Sequence, residues 1–165
     1  MNNSLEWDVT FLKIAYQIAE HSTCTKAQVG AVLTVDRRII STGFNGVPSG
    51  VTPHCCDKFK PEDFFGYSDT PKNRLVEHGF WQIENEVHAE LNAILFAARY
   101  GISTKGATIY TTMSPCPSCA NAIINAGIIR VVFNEKYRIT YGLEVLDKVG
   151  IQWQCVDGVI YPGEE

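Results

Sequence analysis

Residues 88–101 of the chain have the sequence HAELNAILFAARYG, which opens with two residue types that carry chemistry. The segment predicts a helix that ends at Gly101, because glycine commonly closes helices. His88 and Glu90 lie two positions apart at its start. Side chains two apart on a helix point to roughly opposite sides, so we do not expect these two residues to share one ion as equal ligands.

Two cysteines further along the chain supply the ligands that the histidine lacks. Residues 114–120 have the sequence SPCPSCA, in which Cys116 and Cys119 share one face of a helix predicted over residues 115–127. A helix N-terminus favours the thiolate, which is the form of cysteine that binds metal. One imidazole and two thiolates suit zinc and leave its fourth position for water. The glutamate is then free to take a proton from that water and pass it to a substrate.

Each half of this pattern is weak on its own. A lone Cys-x-x-Cys pair is often half of a structural zinc site or a redox pair, and a lone His-x-Glu usually has no function. The two halves together, with Pro115 directly before the first cysteine and each half on a helix that follows strand material, form the signature of zinc deaminases. The combination therefore favours a catalytic zinc.

Strands and helices alternate outward from this motif. We predict two more helices, at residues 8–20, with Asp8 as N-cap, and at 143–150. Strands are predicted at five places, residues 29–35, 39–44, 107–113, 128–134 and 151–156. This order indicates a layered α/β domain whose second half is largely parallel. Residues 46–85 fit poorly, since turn residues and aromatics mix there without a sustained period, so either something orders this segment or it is mobile.

Composition narrows the classes of function. The 165 residues suit one domain, and 45% hydrophobic residues suffice for a substantial core. The net charge of −4 argues against a polynucleotide partner. No apolar run approaches the ~20 residues that cross a bilayer, and the N-terminus lacks the features of a signal peptide. We therefore expect a cytoplasmic protein whose six cysteines are reduced and available for metal.

Four stretches resemble the deoxycytidylate (dCMP) deaminases, and most closely the phage-encoded members of this branch of the zinc-dependent cytidine deaminase fold. They are residues 28–33, 41–50, 88–94 and 114–128. The resemblance implies a single three-layer α/β/α domain with a central mixed five-stranded sheet. It implies hydrolytic deamination of dCMP to dUMP and ammonia, which supplies dUMP for dTMP synthesis. It also implies a hexamer, activation by dCTP and inhibition by dTTP, with Mg²⁺ as a candidate companion ion, and the host cytoplasm if the protein is phage-encoded.

The resemblance also implies how the substrate is held. The amide of Ala89 would bind the cytosine O2, and the carbonyl of Ser114 would receive the exocyclic amine. Asn45 would contact the deoxyribose, although an Asn-Gly pair is also typical of a turn. The surrounding glycine-rich run offers backbone amides to a triphosphate. The candidate effector site is Phe44, Asn45, Gly46 and Gly50.

Four residues are candidates for the base and the phosphate of the nucleotide. Arg99 matches a phosphate-associated arginine of the phage-type members, although it could equally complement the negative end of its helix. Tyr137 and Arg138 follow a predicted strand and could overlie the base and phosphate. Lys26 is a weaker phosphate candidate, since an exposed lysine is usually solvated.

A second, structural zinc is the last expectation. Cys24, Cys55, His78 and Glu86 would form a closed four-ligand site that orders residues 46–85, and the phage-type members have zinc ligands at matching positions. Cys56 adjoins Cys55, so either could be the ligand. Cys155 is expected to be a small buried hydrophobe. Two other functions compete with the nucleotide enzyme: deamination of a base within RNA or DNA, and a non-enzymatic zinc module, which would not need Glu90.

Overall fold

The computed structural model describes residues 3–64 and 72–158. Its six α-helices are α1 (Asn3–Ala19), α2 (Cys55–Lys58), α3 (Lys72–Asn85), α4 (Ala89–Arg99), α5 (Pro117–Asn125) and α6 (Tyr141–Lys148). Its five strands are β1 (Gly30–Val35), β2 (Arg38–Phe44), β3 (Thr108–Met113), β4 (Arg130–Glu135) and β5 (Gln152–Cys155), and a 3₁₀ turn spans Pro61–Asp63. None of the helices in these two ranges is long and apolar enough to span a bilayer.

The five strands form one mixed sheet in the order β2-β1-β3-β4-β5. Strand β1 is antiparallel to both of its neighbours, and it forms a hairpin with β2 through the two left-handed residues Asp36 and Arg37. Strands β3, β4 and β5 run parallel to one another, connected through α5 and α6. The predicted mixed sheet with a parallel second half is therefore confirmed.

Helices cover both faces of the sheet. Side chains alternate along each strand, so Val32, Tyr110 and Val132 pack on one face against α1. On the opposite face Leu33 and Ile109 belong to a larger buried cluster, to which α4, α5 and α6 contribute. This gives the three layers that the sequence predicts, with the long axis of α4 lying against β2 and β1.

The predicted N-cap at Asp8 was wrong. Helix α1 begins five residues earlier, and Asp8 is buried in its middle. Its two carboxylate oxygens accept hydrogen bonds from Arg130 Nη1 and Nη2 at 2.7 and 2.8 Å, and Tyr110 Oη also donates to it at 3.1 Å. A buried carboxylate needs such partners, so Asp8 joins α1 to β3 and β4 instead of capping a helix.

Residues 46–85 contain more regular structure than their pattern suggested. Helices α2 and α3 and the 3₁₀ turn lie within this segment, so its description as irregular was wrong. A separate buried cluster packs them together and consists of Cys24, Cys55, Phe59 and Trp81. The ring of His78 meets the ring of Phe59 edge to face, with 4.9 Å between centroids.

Helix α4 approaches β2 so closely that only glycine fits between them. A Cβ atom placed on Gly43 would lie 2.4 Å from both the carbonyl oxygen of Ala89 and the amide nitrogen of Ala93. Ser41 strengthens the same contact, because its Oγ donates to the carbonyl of Ala93 at 2.7 Å. The first turn of α4 therefore rests directly on the β2 backbone.

We expect Gly43→Ala to lower the free energy of unfolding by about 1–3 kcal/mol, the usual cost of overpacking, because the helix backbone must move away from the strand. Urea denaturation measures this effect. Gly79→Ala in α3 is the control, since a Cβ there meets nothing within 4 Å. Alanine favours a helix, so this variant should be unchanged or more stable by up to about 1 kcal/mol. Equal stability of the two variants would contradict the close contact.

Candidate functional site

His88, Cys116 and Cys119 converge on one point. The Nδ1 atom of His88 lies 3.4 Å from each of the two cysteine sulfurs. All three candidate ligand atoms lie within 4.8 Å of one another. The structure thus brings together the three residues that the motif spacing predicted as ligands of one ion.

Two helix N-termini form this cluster. His88 is the N-cap of α4, with extended backbone angles, so the helix begins one residue later than predicted. Cys116 is the N-cap of α5, with Pro117 in the first helical position. Neither side chain caps its own helix, which leaves both free to point at a common ion. The positive ends of both helix dipoles favour negatively charged thiolates there.

The electrostatics of the cluster suit a bound cation. A hydrogen bond from Cys119, supported by one from His88, lowers the pKa of Cys116 to about 4. The contact with Cys116 in turn raises the pKa of Cys119, with burial as the second cause. The hydrogen bond to Cys116 also raises the pKa of His88 against the effect of burial. One imidazole and two sulfurs around one point, one of them readily a thiolate, fit the N/S ligand set that zinc prefers.

Glu90 lies in the first turn of α4 and is 4% exposed. Burial raises the pKa of its carboxyl, while the nearby His88 lowers it to a smaller extent. Its electrostatic neighbours also include both cysteines of the cluster. A buried carboxyl with a raised pKa beside a metal cluster suits a group that accepts and returns a proton.

Cys24, Cys55 and His78 form a second cluster. The Nε2 atom of His78 lies 3.7 Å from Cys24 Sγ and 3.4 Å from Cys55 Sγ, and all three side chains are buried. Burial, followed by the charge of Glu86, raises the pKa of Cys24 to about 12. Burial, followed by the charge of Lys26, lowers the pKa of His78 to about 4, so its ring is neutral and its Nε2 can be a ligand.

Glu86 lies beside this cluster without belonging to the group of three that shares one point. Both of its carboxylate oxygens are buried and have no hydrogen-bond partner among the described residues. Burial raises its pKa, and the weaker influence of nearby Gln82, Asn45 and Cys55 opposes this. An unpartnered buried carboxylate is costly, and a cation among the neighbouring thiols would offset that cost. The donor set therefore fits a metal, and Cys56, which is exposed, lies outside the cluster.

Asn45 is buried at the end of β2, and its side chain is engaged with its own chain. Its Oδ1 accepts from the amide of Val29 at 2.8 Å, and its Nδ2 donates to the carbonyl of Ala27 at 3.0 Å. Gly46 forms an antiparallel bridge with Val87, so the Asn-Gly pair makes no turn. Asn45 therefore holds residues 27–29 in place, whatever contact it also makes with a ligand.

Part of the glycine-rich run that was predicted to bind an effector is already hydrogen-bonded within the chain. The amides of Asn45 and Gly46 already donate to the carbonyls of Val29 and Val87, so they cannot serve phosphates as expected. Phe44 is 39% exposed, and Gly50 is exposed with a φ of 85°. The surface that remains for a ligand is the start and the end of this run.

Three of the phosphate and base candidates lie together. Burial, followed by the positive charge of Arg138, lowers the pKa of Lys26, so Arg138 is one of the charged neighbours of Lys26. The guanidinium of Arg138 lies 5.7 Å from the ring centre of Tyr137. The Tyr137 amide donates to Ser114 Oγ at 2.8 Å, and Ser114 is two residues before Cys116. Ser114 and Ala89, the two predicted base contacts, are both buried.

Arg99 does not join this group. It is exposed at the last turn of α4, with its guanidinium 5.9 Å from the ring centre of Tyr100. Arg99 follows His88 by eleven residues, which at 1.5 Å per residue is about 16 Å along the helix. Arg99 therefore lies at the opposite end of α4 from the first metal cluster.

Sequence reasoning missed Thr25, whose Oγ1 lies 3.5 Å from Cys55 Sγ. A threonine carries no signal of such a role, because the contact depends on how α1 and α2 meet. It also ranked Lys26 low, since nothing local to a lysine shows that an arginine more than a hundred residues away lies beside it.

Residues 5–135 match the family described as the cytidine and deoxycytidylate deaminase zinc-binding region. The deoxycytidylate deaminase of Enterobacteria phage T4 is 45% identical over 150 residues, which cover 78% of this chain and 77% of that protein. The ComE operon protein 2 of Bacillus subtilis strain 168 is 32% identical over 158 residues, which cover 93% of this chain and 72% of that protein.

The dCMP deaminase of cyanophage S-TIM5, crystallised in complex with dCMP and dUMP, has a similar structure. The TM-score is 0.71 at 30% sequence identity, and the match covers 89% of this chain and 94% of that one. This likeness confirms the predicted three-layer cytidine deaminase-like fold with its mixed five-stranded sheet. Because the family match spans most of the chain and includes both halves of the metal motif, the protein belongs to the zinc-dependent hydrolases of the cytidine and deoxycytidylate deaminase family.

Proposed function

We propose that this protein deaminates dCMP to dUMP and ammonia by hydrolysis. The observation that carries this proposal is the cluster of His88, Cys116 and Cys119 with the buried carboxyl of Glu90 beside it. The charge of Arg138 also acts on Lys26, so the chain offers two cations to a phosphate. Two cations close together favour an anion between them, and a nucleotide monophosphate supplies one. The likeness to a cyanophage enzyme crystallised with dCMP and dUMP supports the same substrate.

Each step of the reaction is assigned to a particular residue of the chain. Zinc held by His88, Cys116 and Cys119 would supply an activated water at neutral pH. The Glu90 carboxylate accepts a proton from the attacking water and passes it to N3 of the cytosine ring. It then takes the proton of the hydroxyl that has added to C4 and delivers it to the departing amine, which leaves as ammonia while C4 becomes a carbonyl. The amide of Ala89 lies in the first turn of α4, where backbone N–H groups have no partner within the helix, and it donates to the cytosine O2.

The remaining contacts position the nucleotide. The carbonyl of Ser114 receives the exocyclic amine, and Tyr137 overlies the base. Asn45 meets the deoxyribose, with its own side chain fixed by residues 27–29. Lys26 and Arg138 bind the phosphate, which relieves the repulsion between them.

A second zinc belongs to the proposal as a structural ion. Cys24, Cys55 and His78 hold it, and Glu86 completes the set, because its carboxylate is buried without a hydrogen-bond partner and its charge acts on Cys24. The ion ties the loop after α1 to α2 and α3 and so orders residues 46–85.

Regulation and assembly follow the family resemblance. We include in the proposal activation by dCTP and inhibition by dTTP, with Mg²⁺ accompanying the triphosphate, and a hexameric assembly. The triphosphate would bind near Phe44 and Gly50, the exposed members of the effector run.

Ammonia release from dCMP, dCTP, deoxycytidine and CMP, each with and without dCTP or dTTP, tests this function. We expect dCMP to be the best substrate and dCTP to raise its turnover. Equal rates on dCMP and deoxycytidine would refute the phosphate contacts. Activity only on a cytosine within a polynucleotide would refute the proposed substrate altogether.

We expect Arg138→Ala and Lys26→Ala each to lower kcat/KM for dCMP much more than for deoxycytidine. A charge-assisted hydrogen bond to phosphate is worth roughly 1.5–3 kcal/mol, which corresponds to roughly a 10- to 150-fold loss. Lys13→Ala, an exposed lysine on α1, is the control and should change neither rate. Equal losses on both substrates would mark these residues as structural.

Arg99→Ala tests whether Arg99 of the same chain or of a second copy contacts the phosphate. If the phosphate is bound within one chain, this variant should keep the wild-type preference for dCMP, because Arg99 lies at the far end of α4. A selective loss on dCMP would mean that a second copy of the chain brings its Arg99 to the site. Analytical ultracentrifugation of the same variant shows whether assembly changes with it.

A further inference from the structure

The peptide that precedes His88 is held from two sides. On one side, Gly46 and Val87 exchange two backbone hydrogen bonds, at 2.9 and 3.1 Å. On the other, the side chain of Asn92 lies with its Nδ2 2.7 Å from the carbonyl oxygen of Phe44 and 3.4 Å from that of Val87. An amide nitrogen carries two hydrogens, so Asn92 can serve both carbonyls.

These contacts link three parts of the site through one side chain. Asn92 lies in the second turn of α4, the helix that carries Glu90, and its own amide donates to the carbonyl of His88 at 2.9 Å. Phe44 ends strand β2, which leads directly into Asn45, the residue proposed to meet the deoxyribose. The carbonyl of Val87 belongs to the peptide group whose nitrogen is that of His88.

We propose that Asn92 is a positioning residue for the zinc site, which fixes the orientation of the Val87–His88 peptide relative to α4 and β2. His88 is an N-cap whose side chain makes no capping hydrogen bond, while its carbonyl accepts the main-chain hydrogen bond from the amide of Asn92. The side-chain donors of Asn92 add a restraint on the peptide before His88, and with it on the direction of the imidazole towards Cys116 and Cys119. Groups of this kind, one shell out from a metal, commonly change affinity for the metal by about 10–100-fold.

Ser41 offers a matched control on the same helix and the same strand. Its Oγ donates to the carbonyl of Ala93 at 2.7 Å, on the part of the contact that does not include the peptide before His88. Ser41→Ala therefore removes one side-chain hydrogen bond between α4 and β2, as Asn92→Leu does, but leaves the Val87–His88 peptide clamped.

The test compares the zinc retention of the two variants. Purified full-length protein is dialysed against a series of zinc chelators of graded affinity, and the remaining zinc is counted. We expect Asn92→Leu to release one zinc at about 10–100-fold lower chelator strength than the wild type. Ser41→Ala should retain zinc as the wild type does, although both variants lower the melting temperature by a few degrees. This measurement needs no substrate, so it stands apart from the test of dCMP deamination.

Unchanged zinc retention in Asn92→Leu would overturn the proposal, and so would the same zinc loss in Ser41→Ala, which would mark the effect as general loosening of α4. Cobalt-substituted protein adds a spectroscopic measure, since the visible absorption of Co²⁺ follows its ligand geometry. If the leucine variant fails to fold, Asn92→Asp replaces it, because a carboxylate near the N-terminus of a helix is favourable while both donors are lost. That variant must show the same zinc loss for the proposal to stand.

Discussion

Glu90→Gln should reduce ammonia release from dCMP by roughly 10³-fold, within the 10²- to 10⁴-fold range of general acid–base catalysis. Glutamine has almost the shape of glutamate but cannot take up and return a proton. The side chain is 4% exposed inside the first turn of α4, so no water from solvent can substitute for it freely. The ligands His88, Cys116 and Cys119 are untouched, and the zinc content should remain that of the wild type.

Two measurements accompany the rate. Elemental analysis should find unchanged zinc, and thermal unfolding should show no loss of stability, since burial of a neutral amide avoids the cost that raises the pKa of the Glu90 carboxyl. Glu84→Gln, an exposed glutamate on α3, is the matched control and should be fully active. A Glu90→Gln enzyme within tenfold of the wild-type rate would end the proposed role of this residue.

Purified protein should contain two zinc ions per chain, and the two should be separable by substitution. Cys116→Ser should lose one zinc and all measurable activity, because the serine hydroxyl is a poor zinc ligand compared with a thiolate. Cys55→Ser should lose the other zinc and lower the melting temperature, because helices α2 and α3 then keep the small buried cluster around Phe59 and the exposed contacts of Lys58 with Arg74 and Glu77 but lose the ion that links them. Limited proteolysis within residues 46–85 reports the loosening directly.

The adjacent cysteine gives this experiment its control. Cys56 is exposed, while Cys55 is buried with its sulfur 3.4 Å from His78 Nε2. Cys56→Ser should therefore keep both zinc ions and the wild-type melting temperature. One zinc in fully active protein, or the same metal content in Cys55→Ser as in wild type, would falsify the second site and leave the first intact.

Helix α3 shows why part of the fold escaped sequence analysis. Its apolar residues Val76, Phe80 and Ile83 are exposed at 57%, 66% and 80%, while the side chains it buries are His78 and Trp81. Residues 76, 80 and 83 are spaced as on one face of a helix, so a period was present, but it is short and follows a run of mixed turn residues and aromatics. The strands and the helices around the metal motif follow the usual pattern, and their positions were predicted to within a few residues.

The residues of the candidate site also fall into those that the sequence could predict and those that it could not. The three ligands of the first cluster could be predicted because each lies at a helix start with a fixed spacing in the sequence. The second cluster could not be derived from spacing alone, because Cys24 lies in the loop after α1, Cys55 in α2 and His78 in α3, and the three meet through tertiary packing. The proximity of Lys26 and Arg138 has the same origin, since it depends on how the segment after α1 packs beside the loop after β4.

The bridge between Gly46 and Val87 places Glu86 and His88 on either side of a single residue, each beside a different metal cluster. Side chains alternate along an extended chain, so one inserted or deleted residue here would turn one of the two away from its cluster. Residues 86–88 therefore form a spacer of fixed length between the two metal clusters. A chimaera that exchanges residues 46–85 with those of a relative should keep both of its junctions before residue 86.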